Sequence, residues 1–346
     1  MAVKALRSSA ILGGVRSWIV SLAVSACGFS PGGASTGPGD GGLPGDEGVP
    51  PDTAPLGSTC WPHWFDRTLA FNPAQPLSSL DTTSGTSKLD LSLSSDELQI
   101  WFQSGSHVWT ATRTTATASF DSPTLFSPAN STAAETKLAM TDDRLAFLVA
   151  STRAGGNGQF DLWISTRPHA TSSFPAPSET HLKNVDTADN EDDPWISNDT
   201  LRLYYTAAPA VQHRHLVVAT RDTVSKAFGA PASLDSINQS VVSNSSYLGY
   251  YEDAMLADDE LVIAYSARRT DNVGVSPSLD PPATTDLWYS VRSATTNAFS
   301  PPIRVPYVNT QASEGDPWIS HDGCRLYFAT DVDGPVRALY EATVIN

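Results

Sequence analysis

Apolar residues recur at every second position in five similar segments of the chain, and each segment carries one aspartate at the same place. The residues two, four and six positions after each aspartate are apolar, a period that predicts a β-strand with one buried face. Another apolar residue lies three positions before each aspartate, so the aspartate is predicted to occupy a tight turn between two strands. The segments are LSLSSDELQIWFQS, LAMTDDRLAFLVAS, PWISNDTLRLYYTA, AMLADDELVIAYSA and PWISHDGCRLYFAT, and their aspartates are Asp96, Asp143, Asp199, Asp259 and Asp322.

A second unit follows four of these segments and ends in an arginine, with phenylalanine seven residues later and proline ten residues later. Proline cannot donate to a strand ladder, so we expect it at or just outside an edge strand. Each repeat is therefore predicted to contain four antiparallel strands, and repeats of about 50 residues with this content are typical of a β-propeller. The units are VWTATR, LWISTR, LVVATR and LWYSVR, ending at Arg113, Arg167, Arg221 and Arg292.

The segments PWISNDTLRLYYTA and PWISHDGCRLYFAT resemble the Pro-Asp variant of WD40-like repeats found in the C-terminal propeller of the TolB family. In that family a second proline precedes the aspartate and a glycine follows it. This chain lacks the second proline, and the glycine is present only at Gly323. The resemblance covers about residues 86 to 346 and implies the fold without implying an activity.

The repeat count predicts an all-β, five-bladed β-propeller of four-stranded antiparallel blades. The fifth repeat ends at ALYEATVIN without the Phe and Pro of an outer strand. The earlier stretch RTLAFNPAQPL, residues 67–77, carries that aromatic and proline pattern, so we predict that it completes the last blade and closes the ring. Six blades would result if residues 61–90 formed more than one strand.

The beginning of the chain has the pattern of an export signal. Basic residues at Lys4, Arg7 and Arg16 precede the apolar run WIVSLAVSA, which is too short to span a hydrocarbon core. The run leads into VSAC, which resembles the bacterial lipobox and implies lipidation of Cys27; the following Gly28 is compatible with sorting to the outer membrane. The alternative is an ordinary secretory signal cleaved near Ala26.

These features divide the chain into a lipoprotein signal peptide over residues 1–27, a disordered Gly/Pro-rich tether over 28–60 and a propeller domain over 61–346. They predict a lipid-anchored protein of the bacterial cell envelope, facing the periplasm or the exterior from the outer membrane. Beyond Cys27 the chain has only Cys60 and Cys324. In an oxidising compartment these two cysteines are candidates for a disulfide, although Cys324 also fits a buried thiol.

The acidic composition narrows the range of partners. Acidic residues outnumber basic ones 37 to 21, giving a formal charge of −16. Phosphate contacts need clustered Lys and Arg, so this balance argues against nucleic-acid binding. The predicted partners are the membrane through the lipid anchor and an envelope protein or glycan, bound by a monomer.

Carboxylates recur six residues before four of the five repeat aspartates, and Lys137 takes that place in the second repeat. If the first strand of each repeat is innermost, these acids ring one mouth of the central channel. Crowded carboxylates suit either Ca²⁺ or acid–base chemistry, although they also fit backbone hydrogen bonding at strand starts. The recurring acids are Asp90, Asp193, Asp253 and Asp316, with companions Glu191, Glu252 and Glu314 and nearby aromatics Trp195 and Trp318.

No nucleophile, phosphate-loop or metalloprotease motif is present in the sequence. We therefore predict a non-catalytic protein- or glycan-binding module. Its binding rim is predicted to contain Glu191, Asp193, Trp195, Glu252, Asp253, Glu314, Asp316 and Trp318. The alternative is a five-bladed-propeller glycoside hydrolase that uses the four recurring aspartates as catalytic carboxylates. A third possibility is a structural spacer with Ca²⁺ held by those aspartates, and no other cofactor is predicted.

Overall fold

The computed structural model describes residues 59–81, 85–210, 213–238, 250–269 and 284–345. The predicted signal peptide, with Cys27, and nearly all of the predicted tether lie outside these ranges. No helix within the described ranges is both long enough and apolar enough to cross a membrane.

The described ranges contain one short α-helix, α1 (Trp61–Asp66), a 3-10 turn at Ser78–Leu80 and nineteen strands. In chain order the strands are β1 (Gln75–Pro76), β2 (Lys88–Leu93), β3 (Gln99–Ser104), β4 (His107–Thr112), β5 (Thr124–Leu125), β6 (Glu135–Met140), β7 (Ala146–Ser151), β8 (Asp161–Thr166), β9 (Asn190–Ile196), β10 (Arg202–Ala210), β11 (His213–Thr220), β12 (Ala232–Ser233), β13 (Tyr250–Leu256), β14 (Val262–Arg268), β15 (Asp286–Val291), β16 (Ile303–Arg304), β17 (Glu314–Ile319), β18 (Arg325–Thr330) and β19 (Ala338–Thr343).

These strands form five antiparallel blades. Blade 1 contains β2 to β5, blade 2 contains β6 to β8, blade 3 contains β9 to β12, blade 4 contains β13 to β16, and blade 5 contains β17 to β19 with β1. In blade 2 a single bridge between Ile164 and Ser178 takes the place of the outer strand. The inner strands β2, β6, β9, β13 and β17 are neighbours in that order, and β17 lies beside β2. The prediction of a five-bladed propeller is confirmed, and the six-bladed alternative is wrong.

The two ends of the domain close the ring together. β1 pairs with β19 through Gln75 opposite Glu341 and Pro76 opposite Tyr340, as the aromatic and proline pattern predicts. Cys60 and Cys324 form a disulfide with their Cα atoms 4.9 Å apart. The first blade therefore cannot separate from the last without breaking both a strand pairing and a covalent bond.

Each repeat aspartate holds the turn between the first two strands of its blade. Its Oδ1 accepts a hydrogen bond from the backbone N–H two residues on, for example from Leu98 to Asp96 at 3.0 Å and from Leu201 to Asp199 at 2.9 Å. The residue after the aspartate has a positive φ in all five turns. Most of these residues are not glycine, but Gly323 stands where a Cβ would come within 2.8 Å of the Trp61 ring. This close approach, and not the turn itself, requires glycine at this position.

The arginine and phenylalanine of the second repeated unit stack on each other in blades 1 to 4. The guanidinium of Arg113 lies 4.3 Å from the centre of the Phe120 ring, and the later repeats have the same arrangement at 4.2 to 4.5 Å. The prolines three residues later precede the short outer strands. The spacing of the second unit thus reflects a cation–π contact that fixes where the outer strand begins.

Candidate functional site

The four recurring aspartates, Asp90, Asp193, Asp253 and Asp316, occupy bulges in the inner strands; we call them the channel carboxylates. The strand pairing slips at each of them, between Leu89 and Ser92 in blade 1 and at the equivalent places in blades 3 to 5. Their φ angles are 55°, 50°, 60° and 55°. Aspartate tolerates this left-handed conformation better than most residues do, and a bulge redirects the side chain at its position.

Three of the channel carboxylates meet in space although they come from different blades. One carboxyl oxygen from each of Asp90, Asp193 and Asp253 lies within 4.8 Å of the other two. All four channel carboxylates are buried, with exposed fractions between 2 and 9%. The bulges therefore gather carboxyl groups that lie from 60 to 163 residues apart in the sequence.

Backbone and hydroxyl donors join neighbouring members of the cluster. Asp253 Oδ2 accepts from the Ser266 hydroxyl at 2.7 Å and from the Asp316 amide at 3.3 Å. Asp316 Oδ2 is buried without a hydrogen-bond partner among the described residues. Backbone amides thus bind part of the cluster, as one of the sequence interpretations expects, but they do not neutralise it.

Cations from two other positions balance part of the negative charge. Lys137 occupies the equivalent bulge in blade 2; it is 4% exposed, and its Nζ has no hydrogen-bond partner among the described residues. Arg214 of β11 lies 3.1 Å from Asp193, 3.6 Å from Asp192 and 2.8 Å from Glu252. The sequence pattern marked Lys137, whereas neither Arg214 nor Asp192 carries a repeat signature that would have revealed its role.

Burial and crowding shift the protonation of the cluster. Burial raises the pKa of Asp90 well above its usual range, and the charges of Asp316 and Asp193 add to this effect. Burial, followed by repulsion from Asp316, raises the pKa of Asp253 to about 6. For Lys137, burial alone would lower the pKa, but the surrounding carboxylates outweigh it and raise the pKa above the usual value. Burial thus raises the pKa of these carboxyl groups, while the charges of Arg214 and Lys137 favour the ionised form of Asp193.

The companion acids lie in two different environments. Glu252 faces the cluster through its ion pair with Arg214, and burial raises its pKa well above the usual range. Glu314 instead accepts hydrogen bonds from the Thr310 amide and hydroxyl at 3.1 and 2.6 Å. Glu191 bonds Thr187 in the same way. The structure thus brings Glu252 to the channel carboxylates and turns Glu191 and Glu314 towards the loops.

Glu191 belongs to a second group of buried acids at the junction of blades 2 and 3, together with Asp161 and Asp186. The Gly158 amide donates to Asp161 Oδ1 at 2.8 Å, and Asn157 Nδ2 donates to Asp186 at 3.1 Å. Sequence reasoning missed Asp161 and Asp186. The repeated DLW at residues 161–163 and 286–288 is the only pattern that marks one of them.

Trp195 and Trp318 line a narrow cavity in the channel, next to the channel carboxylates. The cavity also touches Lys137, Met140 and Met255, and it reaches the turns at the far ends of the inner strands. It encloses about 50 Å³. Each tryptophan packs edge-on against a tyrosine of the next strand, with ring centres 5.7 Å apart. The cavity is too small for a sugar ring, so these tryptophans act as packing at this end of the channel.

Comparison with known proteins identifies the fold but no family. No family model and no curated protein matches the chain. Among solved structures, it is similar to the α-L-arabinofuranosidase PaAbf62A from Podospora anserina, with 10% identity, a TM-score of 0.52 and coverage of 80% of this chain and 97% of that one. It is also similar to the catalytic domain of the GH62 α-L-arabinofuranosidase of Coprinopsis cinerea, with 12% identity, a TM-score of 0.50 and coverage of 80% and 98%.

TolB from Acinetobacter baumannii is a weaker match, with 11% identity, a TM-score of 0.37 and coverage of 77% of this chain and 56% of that one. That score is too low for TolB to inform the function of this chain. At the identities above, the likeness to the arabinofuranosidases shows the fold alone.

The prediction of a non-catalytic protein- or glycan-binding module is wrong. The two arabinofuranosidase structures support the hydrolase alternative better than the binding module. The prediction rested on the absence of a contiguous motif, and such a search cannot detect carboxyl groups that converge from separate blades.

Proposed function

We propose that this protein is a glycoside hydrolase whose catalytic groups are channel carboxylates. The observation that carries the proposal is the convergence of Asp90, Asp193 and Asp253, whose carboxyl oxygens lie within 4.8 Å of one another in a buried site. Glycosidases need one carboxylic acid and one carboxylate on either side of the scissile bond. Burial raises the pKa of both Asp90 and Asp193, but only Asp193 has an arginine partner that opposes the rise, so we assign Asp90 as the acid and Asp193 as the carboxylate.

The environment of each residue assigns its role. Asp90, whose pKa is raised by burial and by the charges of Asp316 and Asp193, is the acid of the pair and donates its proton to the leaving-group oxygen. Asp193, whose pKa burial raises, lies 3.1 Å from Arg214, and that charge favours the ionised form; as a carboxylate it attacks the anomeric carbon as the bond to the leaving oxygen breaks. Water then cleaves the glycosyl–Asp193 ester while Asp90, now a carboxylate, takes the water's proton. Asp253 and Lys137 complete the charge balance around this pair.

The spacing favours retention of anomeric configuration. Retaining enzymes hold their carboxyl groups about 5 to 5.5 Å apart, whereas inverting enzymes need about 6.5 to 9.5 Å to place a water molecule between acid and sugar. The carboxyl oxygens of Asp90, Asp193 and Asp253 lie within 4.8 Å of one another, which is closer to the separation in retaining enzymes. We expect the first product released from a substrate to have the same anomeric configuration as the substrate.

The substrate approaches from the end of the channel where the inner strands begin. Arg214, Asp192 and Glu252 lie at that end, and their side chains keep 17, 13 and 14% of their surface exposed. The narrow cavity at the other end, next to Lys137, excludes a sugar. We therefore place the sugar against Arg214 and Glu252, with the scissile bond over Asp90 and Asp193.

Hydrolysis of a glycoside panel tests the proposal. The panel includes 4-nitrophenyl α-L-arabinofuranoside, because two similar solved structures are arabinofuranosidases. The full chain should hydrolyse at least one member, and Asp90→Asn and Asp193→Asn should each lower kcat at least 100-fold. Asp235→Asn, on the exposed surface, is the matched control and should be fully active. No hydrolysis by the wild-type protein, or full activity in both Asn variants, would overturn the proposal.

Two further proposals concern the surroundings of the site. The lipobox around Cys27 supports a lipid-anchored hydrolase at the bacterial cell envelope. A fatty-acid probe tests this, because it should label the expressed protein and fail to label Cys27→Ala.

The spacing of Asp90, Asp193 and Asp253 also fits Ca²⁺, which would compete with Lys137 for the same carboxylates. A Tm that does not change with added Ca²⁺ or chelator would dispose of the metal.

A further inference from the structure

Two of the five junctions between blades contain the same buried ionic network. Between blades 5 and 1, Glu97 accepts hydrogen bonds from the Tyr327 hydroxyl at 2.6 Å and from Arg325 at 2.9 Å. Arg113 lies 3.6 Å from the same carboxylate and donates to the Tyr327 hydroxyl at 2.8 Å. One glutamate thus pairs with two arginines and accepts a hydrogen bond from one tyrosine.

Between blades 3 and 4 the equivalent residues repeat this arrangement. Glu260 accepts from the Tyr204 hydroxyl at 2.9 Å and from Arg202 at 2.6 Å, and Arg292 lies 3.4 Å from it. Glu97 and Glu260 both follow directly after a repeat aspartate, and the tyrosines lie five residues after one. The repeat alignment therefore locates the positions of the glutamate, the tyrosine and the two arginines at the remaining junctions as well.

At the junction between blades 1 and 2 these positions hold Gln99, Trp101, Arg144 and Arg167, so an arginine stands where the glutamate belongs. Arg144 turns outward to Asp96 at 2.7 Å, where both side chains are partly exposed. Arg167 donates to the backbone carbonyls of Arg144 and Ser172 at 2.8 and 3.0 Å. Among the described residues Arg167 has no carboxylate partner, unlike Arg113 and Arg292.

A cavity of about 490 Å³ opens at this junction. This volume is within the range of about 300 to 1,000 Å³ that small-molecule sites occupy. Arg167 lies over the Phe174 ring at 4.2 Å, so the cavity has an aromatic wall beside its cations. Trp101 is 1% exposed, and its indole Nε1 has no hydrogen-bond partner among the described residues. The cavity is lined by Gln99, Trp101, Phe126, Arg144, Arg167 and Phe174, among others.

The charges around the cavity support an anionic ligand. Asp143, the other acid at this turn, is occupied by the Thr141 hydroxyl at 2.7 Å and the Leu145 amide at 2.9 Å. Burial lowers the pKa of Arg167, the charge of Arg144 lowers it further, and the charge of Asp143 raises it by less than either. Arg167 thus lacks the glutamate partner that Arg113 and Arg292 have, and the Phe174 ring lies next to its guanidinium.

We propose that the junction between blades 1 and 2 binds a small organic carboxylate with a ring-shaped body. Its carboxylate takes the place that Glu97 and Glu260 hold at the equivalent junctions, paired with Arg167 and Arg144. Its ring packs against Phe126 and Phe174. The site opens near the turn between β6 and β7, at the opposite end of the inner strands from the sugar-facing end of the proposed active site, and it does not depend on the proposed hydrolase activity.

Calorimetric titration of the full chain with benzoate and glucuronate, each against its uncharged counterpart, benzamide or glucose, tests the site. At least one carboxylate should bind saturably, and its uncharged counterpart should bind at least tenfold more weakly. Arg144→Glu rebuilds the internal carboxylate and should weaken that binding at least tenfold while leaving the protein folded, with an unchanged or higher Tm. Lys226→Glu, on the exposed surface, makes the same change in charge and should bind as the wild type does.

The outcomes that overturn the proposal are distinct. The proposal would be wrong if neither benzoate nor glucuronate bound saturably, or if Arg144→Glu left the affinity unchanged. Inorganic phosphate that binds as tightly as the carboxylates would show a general anion site and would overturn the assignment of ligand class. Arg167→Met gives a second check, because it removes the cation without supplying a carboxylate and should also weaken binding.

Discussion

The amide N–H of Asp253 donates to the Oδ2 of Asp193 at 3.4 Å, across the boundary between blades 4 and 3. The Asp316 amide contacts Asp253 Oδ2 in the same way, at 3.3 Å across the next boundary. Each of these carboxylates therefore contacts the bulge of the following blade. The candidate catalytic groups also help to set the distance between inner strands, so substitutions here affect stability as well as activity.

Lys137→Met should destabilise the protein in a pH-dependent way. The substitution leaves four buried carboxylates without their central ammonium group, and breaking a buried charge pair costs about 3 to 5 kcal/mol. Asp253, with a pKa of about 6, takes up a proton at lower pH and removes part of the repulsion. Urea unfolding should show the full loss at pH 8 and a smaller loss at pH 5. Lys226→Met is the surface control, and an equal loss at both pH values would contradict this account.

Buried carboxylic acids should make the protein less stable as pH rises from 5 to 8. Burial raises the pKa of Glu314 to about 7, so the folded state binds its proton more tightly than the unfolded state does. The resulting stability is complete below the unfolded pKa of about 4.3 and is lost as pH rises through 7. Asp253 and Asp192, each with a pKa of about 6, act in the same direction.

Denaturant unfolding of wild type and Glu314→Gln at several pH values between 5 and 8 measures this dependence. The variant should show a shallower decrease in the free energy of unfolding with pH, whereas Asp235→Asn should follow the wild type. A wild-type stability that increases over this interval would show that the buried acids do not control it.

Gly323→Ala should destabilise the closure of the ring by about 1 to 3 kcal/mol, as overpacking does. A methyl group at this position meets the Trp61 ring at 2.8 Å, and the backbone φ of +74° adds strain. A double-mutant cycle with Trp61→Ala separates the two causes, because removing the ring should abolish most of the cost of the methyl group. Additive losses in the cycle would place the cost in the backbone alone.

Reduction of the disulfide should lower the free energy of unfolding by about 2 to 5 kcal/mol, because the bond closes a loop of more than 200 residues. The Tm of the wild type should therefore fall when a reductant is added. The variant Cys60→Ala/Cys324→Ala should start at the lower Tm and show no response to reductant. An unchanged wild-type Tm under reducing conditions would mean that the strand pairing of β1 with β19 closes the ring by itself.

The sequence determined the architecture because the architecture is written in local, periodic patterns. Alternation after each repeat aspartate marks the second strand of each blade, and proline marks the outer edge. The last repeat lacks the phenylalanine and proline that mark an outer strand. Phe71 and the prolines after it supply that pattern, and they therefore marked the segment that completes blade 5. Strand period, turn chemistry and proline's missing N–H act over a few residues and can be recognised without a structure.

Only the tertiary structure decided which of the recurring acids form a site. Asp90, Asp193 and Asp253 converge because left-handed bulges on three blades turn their side chains to one point. Glu191 and Glu314 share the same repeat pattern, yet they bind threonines in the loops. Side-chain direction, burial and the sum of charges depend on residues far away in the sequence. No single repeat contains that information, and it arises only when five repeats close into a ring.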